Sequence, residues 1–399
     1  MQPDSVDKRI FHPGIVHFAL AVGGFAIGTT EFATMSLLPY FSRDLGIDAP
    51  TAGHVISAYA LGVVVGAPLI AVLTAPMARR TLLMLLMAVF ALANGLSGLA
   101  PTYHAMLLFR FLSGLPHGAY FGISMLVAAS LVRPDQRTQA VGRVIMGLTV
   151  ATTIGVPVAS WFGQAIGWRW GFAIVAALSL LTAGLVAIFC PRDRGDPSAS
   201  PLRELGALGR IHVWLTLLIG AVGFGGLFAV YTYLASTLME VTHAPDGLIP
   251  FAFAAFGVGA TLGNIVVPLF ADRAVMRTAG LLLLWSAAIL ALYMLAVDNF
   301  WLVCADVFAI GLGGSLATVL QTRLMDVAGD AQSLAAALNH SAFNTANALG
   351  PWLAGMTIAA GYGWRSAGWV GCGLALAGFV IWGIAVLVAR HKPIHPGKA

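Results

Sequence analysis

Three ionisable residues lie inside long apolar stretches of this sequence: Glu31, Arg110 and Asp306. Charges are costly in an apolar surrounding that could be lipid, so such residues are first interpreted as functional. Burial favours the neutral form of a carboxyl, whereas a nearby arginine favours its charged form. A carboxyl that alternates between these surroundings can load and release a proton. We therefore predict that Glu31 carries a coupling proton and that Asp306 is a second proton site or a supporting charge. A permanent Glu31–Arg110 ion pair is the alternative for Glu31, and Asp306 could instead be a static partner for Arg110 or a residue near the outer mouth.

A second polar set lies in a later apolar stretch and comprises Asn339, His340, Asn344 and Asn347. His340 and Asn344 are four residues apart and share a helical face, with Asn347 next along it. We consider these residues, and His117, candidates for substrate binding, with hydrogen bonding between helices as the alternative. Further candidate cavity residues are Tyr231, Tyr233 and Gln321.

The composition indicates a membrane protein. Hydrophobic residues make up 59% of the 399 residues and charged residues only 9%, against about 25% charged in soluble proteins. Too few charges are present to cover a water-facing surface, so we expect a lipid bilayer as the main solvent. The net charge of +5 comes from residues in short loops rather than on one face, and we predict no nucleic-acid partner.

Several chemical functions lack their residues in this sequence. No nucleophile–base pair or metal cluster occurs at a plausible spacing, so we do not expect an enzyme. Cys190, Cys304 and Cys372 lie in apolar stretches without a C-x-x-C motif, which argues against metal binding and disulfides. The glycines at 311–314 lack the spacing of a dinucleotide site, and no Walker loop is present. We expect no cofactor, and the proton gradient as energy source.

Twelve apolar runs are long enough to cross a bilayer core of about 30 Å as helices. We predict spans at 15–38, 51–74, 81–100, 104–130, 139–162, 168–190, 212–238, 248–271, 278–297, 300–324, 333–359 and 366–389.

The lysines and arginines predict the orientation of these spans. With the N-terminus in the cytosol, seventeen lie in inside segments and three, Arg43, Arg169 and Arg365, in outside segments. Both termini are therefore predicted to be cytoplasmic in a multi-pass protein of the bacterial inner membrane. In this orientation Glu31, Arg110 and Asp306 all lie in the outer half of the bilayer.

The polar stretch between the sixth and seventh spans divides the chain into two halves. We predict an N-terminal six-helix bundle at 1–190, a cytoplasmic linker at 191–211 and a C-terminal six-helix bundle at 212–399. The Trp-Arg pair at 168–169 recurs at 364–365. Gly66 and Gly263 match at nearly the same offset, as do Arg110 and Asp306. A recurrent offset suggests a duplicated unit, the arrangement of the major facilitator fold.

Four segments carry a family resemblance: Gly28-Thr-Thr-Glu-Phe32, the stretch 52–68, the stretch 110–122 and Gly155-Val-Pro157. With them the chain resembles the major facilitator superfamily, specifically its twelve-span drug:proton antiporter branch, and is similar to arabinose-efflux permeases and related sugar and drug exporters. The resemblance implies an all-α membrane protein whose first, fourth, seventh and tenth spans line a central cavity. Glu31, Arg110 and Asp306 would then share that cavity.

The resemblance also implies gating motifs. The family's loop between the second and third spans normally carries an acidic residue before its arginines. Here Arg79 and Arg80 lack it, which questions a charge-based latch in the first half, whereas the second half keeps Asp272-Arg273 with Arg277 beyond. The exporter-linked motif of the fifth span is similar to the segment from Gly155 to Pro157.

These features together predict a proton-coupled antiporter that exports small molecules by alternating access and acts as a monomer. The resemblance suggests sugars, drugs such as chloramphenicol, or nucleosides as substrates. The alternatives are an uptake symporter of the same fold and a membrane sensor that does not transport.

Overall fold

The protein is helical in the part that the computed structural model describes, which comprises residues 12–74, 76–133, 136–193, 195, 209–271, 274–328 and 332–391. The N-terminal half contains α1 (Pro13–Ser36), α2 (Leu38–Leu45), α3 (Ala49–Leu73), α4 (Arg79–Gly98), α5 (Tyr103–Ser130), α6 (Arg137–Val150), α7 (Val156–Ile166) and α8 (Trp168–Phe189). The C-terminal half contains α9 (Ile211–Gly223), α10 (Gly225–Glu240), α11 (Ile249–Ala271), α12 (Val275–Ala296), α13 (Phe300–Gly313), α14 (Leu316–Ala328), α15 (Gln332–Thr357) and α16 (Ser366–His391).

Eleven helical segments within the described residues are long and apolar enough to cross a membrane. Three of them consist of two helices in series: α6 with α7, α9 with α10, and α13 with α14. The remaining predicted span corresponds to α15, which has 26 residues but carries the polar set that includes Asn344 and Asn347. All twelve predicted spans thus coincide with helices, and the prediction of an all-α membrane fold is confirmed.

Polar side chains begin three of the helices at one end of the bundle. Asp48 accepts a hydrogen bond from the backbone N–H of Thr51, 2.8 Å away, at the start of α3. Thr102 and Asn299 cap α5 and α13 in the same way. Such caps satisfy N–H groups that have no partner within the helix. We call this end, which also contains α2, the α2 face; the charge distribution predicts that it is the outer face.

The two halves repeat one close helix contact. A Cβ at Gly62 of α3 would clash with the carbonyl oxygen of Phe111 in α5. The same clash recurs between Gly259 of α11 and Phe308 of α13, and both members are 197 residues further along. Glycine lets two membrane helices approach closely at these points. The repeated contact supports the pseudo-symmetry of the two halves.

The halves pack against each other as well as within themselves. The Ser57 hydroxyl of α3 donates to the Ala348 carbonyl of α15 at 2.9 Å, and the Thr153 and Thr261 hydroxyls lie 3.0 Å apart across the same boundary. One apolar cluster includes buried residues of both halves, for example Phe41 and Leu234. The division at 191–211 stays a prediction, since most of that stretch lies outside the described residues.

Candidate functional site

Glu31 lies at the contact between the halves. Its side chain is buried in α1, with 6% of its surface exposed. The Asn347 side-chain amide of α15 donates a hydrogen bond to Glu31 Oε1 at 3.1 Å. The acid therefore belongs to the N-terminal half and its hydrogen-bond donor to the C-terminal half. Any change in the charge of Glu31 acts directly on a contact that holds the halves together.

Arg110 is fully buried inside the N-terminal half. Its guanidinium donates to Thr30 Oγ1 at 3.0 Å and lies over the Tyr59 ring, 4.2 Å from the centroid. Thr30 in turn donates to Asn94 Oδ1 at 2.7 Å, and the Phe172 ring covers the guanidinium from α8. An aromatic face and a hydroxyl thus hold the buried cation in place.

The alternative of a Glu31–Arg110 ion pair is not realised in this conformation. Arg43–Glu240, Arg169–Asp44 and Arg365–Asp298 are the ion pairs within 4.0 Å that the described part of the chain contains. Arg110 instead donates to Thr30 and lies over the Tyr59 ring. The acid is left with an uncharged hydrogen-bond donor, so its proton can exchange without an ion pair being broken.

Asp306 is a second buried carboxyl, in α13, with 8% of its surface exposed. Its Oδ2 atom has no hydrogen-bond partner among the described residues, and its electrostatic neighbour is Tyr293 of α12. Asp306 makes no ion pair with Arg110 among the described residues, and a cavity shared by Glu31, Arg110 and Asp306 stays a prediction.

His117 and His340 come from opposite halves of the chain and meet on the side of the membrane that is farther from the α2 face. The ring of His340 in α15 stacks on Phe121 of α5, with centroids 5.3 Å apart, and its centroid is 6.1 Å from that of His117. His117 Nδ1 is 2.9 Å from the Tyr59 hydroxyl. The structure therefore brings two sequence candidates together and joins them, through Tyr59, to the surroundings of Arg110.

A cluster of aromatic rings crosses the boundary beside Glu31. Phe32 of α1 contacts Phe228 and Tyr231 of α10 and Phe256 of α11, with centroid distances of 6.1, 5.6 and 6.3 Å. No pattern in the sequence assigns a role to Phe32, Phe228 or Phe256. Phe32 follows the buried acid directly in sequence, which is the signal that could have singled it out.

Tyr233 has a different role from Tyr231. Its hydroxyl donates to the Pro351 carbonyl at 3.0 Å and lies where a side chain at Gly53 of α3 or Gly355 would be. Tyr233 thus fits into a space that two glycines leave, one from each half. This contact closes the α2 face.

The remaining polar candidates are spread along α14 and α15. Asn339 is buried, and Asn344 donates from Nδ2 to the His340 carbonyl at 3.0 Å. Gln321 is partly exposed in α14 and, at 1.5 Å per residue, lies about 22 Å from Asp306 along the helical path. A role of Gln321 in the cavity stays a prediction. No set of three His, Cys, Asp or Glu side chains within the described ranges is placed to bind a metal ion.

The missing acid of the first gating motif has a substitute from elsewhere in the chain. The Asp193 carboxylate accepts hydrogen bonds from the backbone N–H groups of Arg79 and Arg80, at 2.7 and 3.1 Å. Arg80 also donates to the Ala187 carbonyl. A carboxylate at the start of α4 is favourably placed for both hydrogen bonding and the helix dipole. Motif spacing could not reveal it, because Asp193 follows α8.

The second gating motif is only partly described: Asp272 and Arg273 lie outside the described residues, and Arg277 is exposed. In the fifth span, Gly155 ends a π-helical segment, Ala151–Gly155, and Pro157 stands in the first turn of α7. A Cβ at Gly155 would lie 2.5 Å from Thr29 Oγ1, so glycine allows the close approach of this span to α1.

Charged residues at the α2 face tie loops to helix ends. Arg169 bonds to the Asp44 carboxylate, and Trp168 Nε1 donates to it at 3.1 Å. The bond from Arg169 holds the pKa of Asp44 below its usual value, aided by Trp168. Across the halves, Arg43 lies 4.0 Å from Glu240. These side chains are exposed, and isolated exposed pairs contribute little to stability.

A family model described as Major Facilitator Superfamily matches residues 20–282 and 216–399. The chain belongs to the major facilitator superfamily. The Escherichia coli K12 inner membrane transport protein YdhP is 40% identical to it, over 94% of this chain and 96% of that protein. A chloramphenicol resistance protein of Streptomyces lividans is 34% identical, over 86% and 88% of the two chains.

A solved structure of a mutant of the nucleoside transporter NupG has the same fold, with a TM-score of 0.75 at 12% identity, covering 93% of this chain and 99% of that one. The predicted family and fold class are therefore confirmed. This major facilitator protein is a multi-pass membrane transporter and not an enzyme, as expected from its sequence.

Proposed function

We propose that this transporter exports small molecules from the bacterial cytosol across the inner membrane, driven by inward proton flow. Glu31 carries the coupling proton, and Asp306 is a second acid in the other half. The proton gradient is the energy source, no cofactor takes part, and the protein acts as a monomer with both termini in the cytosol. The substrates belong to the sugars, drugs or nucleosides.

One observation carries this proposal: a buried acid of one half is hydrogen-bonded by the other half. A carboxylate that accepts a charge-assisted hydrogen bond is held more strongly than a neutral carboxyl. Loading Glu31 with a proton therefore weakens its contact with Asn347 and favours separation of the halves. A ligand can change an equilibrium between two conformations only through a difference in affinity between them, and Glu31 supplies such a difference for the proton.

Export rather than uptake is supported by the fifth-span segment at Gly155 and Pro157, and by the relative whose name refers to chloramphenicol resistance. Everted membrane vesicles acidified inside test the direction with radiolabelled chloramphenicol, uridine and arabinose. An exporter accumulates its substrate there and stops when the gradient is collapsed. Accumulation only under the opposite gradient would indicate an uptake symporter. Binding of a substrate without turnover in proteoliposomes would indicate a sensor.

A further inference from the structure

Two amide groups of α15 have their orientation fixed by their neighbours. Asn347 directs its Nδ2 to the Glu31 carboxyl oxygen at 3.1 Å, and Asn344 directs its Nδ2 to the His340 carbonyl at 3.0 Å. The His340 carbonyl can only accept a hydrogen bond, and the Glu31 carboxyl only accepts while it is ionised, so turning either amide over in that state would place two oxygens together. The Oδ1 atoms of Asn344 and Asn347 are consequently the free ends of these side chains.

Both free oxygens are buried without a donor. Asn344 is 4% exposed and Asn347 fully buried, and neither Oδ1 atom has a hydrogen-bond partner among the described residues. Buried polar atoms in folded proteins are nearly always hydrogen-bonded, so each exception needs an explanation. The two residues are three apart and share a helix face, about 5 Å apart along the axis.

The charges nearby exclude one class of ligand. Glu31 adds a carboxyl to the two amide oxygens, so this surface consists of hydrogen-bond acceptors. The nearest cation, Arg110, is directed to Thr30 and Tyr59. A carboxylate or phosphate ester placed against these three acceptors would find no donor among them, and an unpaired buried charge is strongly unfavourable.

An aromatic cluster crosses the same boundary between the halves. Phe32, the residue after Glu31, contacts the rings of Phe228, Tyr231 and Phe256 across the boundary. Aromatic rings of this kind offer a flat surface for stacking or edge contacts with another ring. The pattern of a few directed polar groups beside an aromatic wall is typical of small-molecule sites.

We propose that the side-chain oxygens of Asn344 and Asn347 accept hydrogen bonds from donor groups on the exported molecule. The substrate is then an amphiphile without negative charge that carries two neighbouring hydroxyl or N–H groups and an aromatic face. This inference rests on the proposed export function and narrows its substrate class. When the halves separate, the substrate donates to the two Oδ1 atoms that the closed conformation leaves without partners.

The test uses three scaffolds: chloramphenicol, uridine and phenyl glucoside. Each is compared with its O-methylated ether and with an anionic derivative. The anionic derivative is the phosphate ester for the first two scaffolds and the glucuronide for the third. Counterflow in proteoliposomes first establishes which scaffolds are transported, and binding to the purified full chain is then measured by tryptophan fluorescence. We expect the hydroxylated form to bind at least ten-fold more tightly than its ether, and the anionic form not to bind. A site built to hydrogen-bond a donor group binds an analogue that lacks this group much more weakly.

Variants assign this preference to the amides. Asn344→Leu should reduce the difference in binding affinity between the hydroxylated form and its ether to less than three-fold. Asn344→Asp keeps a hydrogen-bond acceptor and should retain the full difference. Asn264→Leu is the matched control, because Asn264 is exposed in α11 and its Oδ1 already accepts from Thr318 at 2.9 Å.

The outcomes separate the two proposals. Ethers or anionic forms that are transported and bind as well as the hydroxylated forms would overturn the donor inference while export stands. An unchanged preference in Asn344→Leu would likewise overturn the assignment to α15. Absence of transport and binding for all nine compounds would overturn both proposals for these substrate classes.

Discussion

At the scale of single residues, the arrangement around Glu31 assigns a fixed positive charge and a titratable acid to separate sets of contacts, which an ion pair would combine. Arg110 donates to a hydroxyl and lies against two aromatic faces inside the N-terminal half. Glu31 is bonded by an amide of the other half. The arginine supplies a fixed positive potential, while the acid stays free to change its charge. A buried ion pair would instead resist such a change, since removing one partner strands the other.

The Arg110 contacts predict an effect of a substitution that preserves its charge. Arg110→Lys removes the planar group that stacks on Tyr59 and Phe172, and lysine is a compact point charge that cannot replace it. We expect the free energy of unfolding to fall by about 1–2 kcal/mol, seen as a lower melting temperature in detergent. Arg277→Lys, at an exposed position, should leave it unchanged. Equal melting temperatures for both variants would contradict this account of Arg110.

Sequence reasoning identified the buried charges but not their partners. Glu31, Arg110 and Asp306 stand out because each interrupts an apolar run. The bond from Asn347 to Glu31 joins residues 316 positions apart and depends on how the two halves pack, which no local pattern reports. Thr30, Tyr59 and Asn94 are uncharged residues that no local pattern singles out, so only the buried guanidinium beside them makes them important.

At the scale of helices, glycines determine where the spans approach one another. Gly53 of α3 faces Tyr233 of α10 across the boundary, and its missing side chain leaves room for the phenol. The contact is part of the closure of the α2 face, along with the bond between Ser57 and Ala348. Uncharged residues thus contribute to the closure, beside the charged contact of Arg43 with Glu240.

Gly53→Ala should therefore destabilise the closed α2 face. The added Cβ would clash with the Tyr233 hydroxyl, and overpacking of this kind costs about 1–3 kcal/mol. We expect a lower melting temperature and greater accessibility of a cysteine placed at Ser57 to a water-soluble thiol reagent. Tyr233→Phe in the same chain should restore part of the loss, because the hydroxyl is the nearest atom. Gly122→Ala is the control, since its Cβ would meet no atom within 4 Å; a similar loss there would refute the explanation.

The bond between Asp44 of α2 and Arg169 of α8 predicts a dependence of stability on pH. The pKa of Asp44 is lowered in the folded state, mainly by Arg169. The contribution is therefore fully present above the unfolded-state pKa and is lost as the pH falls through the folded-state pKa. Asp44→Asn should lower the melting temperature slightly at neutral pH, with the difference from the unchanged protein shrinking in acid. A difference that grows in acid would contradict this sign. The effect should be small, because both side chains are largely exposed.

The helices themselves were largely predictable, and their irregularities were not. Apolar runs located every span, yet α10 extends to Glu240 and α14 to Ala328, beyond the predicted ends. Polar residues at these positions continue a helix when it projects beyond the apolar layer. The π-helical segment at Ala151–Gly155 follows from packing against α1 and α11, where Gly155 and Gly257 leave room for neighbouring backbone and side chains. The Asp193 cap of α4 depends on tertiary folding in the same way.

At the scale of the whole molecule, duplication supplies two similar halves and charge makes them different. The contact of Gly62 with Phe111 recurs 197 residues later, so the helix packing is shared. Arg110 and Asp306 occupy nearly corresponding positions with opposite charge. One half thus contains a fixed cation and the other an acid whose Oδ2 atom has no hydrogen-bond partner among the described residues, while Glu31 and Asn347 join the two. This asymmetry suits a transporter in which proton loading changes the fit between the halves.

The most direct test of the central claim is substrate-induced proton release from the purified protein, compared between the unchanged chain and Glu31→Gln. Chloramphenicol, uridine and phenyl glucoside are added to weakly buffered protein in detergent, and the pH change is recorded. We expect a transported substrate to release protons from the unchanged protein, and the release to be lost in Glu31→Gln while its melting temperature and substrate binding remain. Substrate binding without proton release, or the same release in Glu31→Gln, would contradict proton antiport through Glu31.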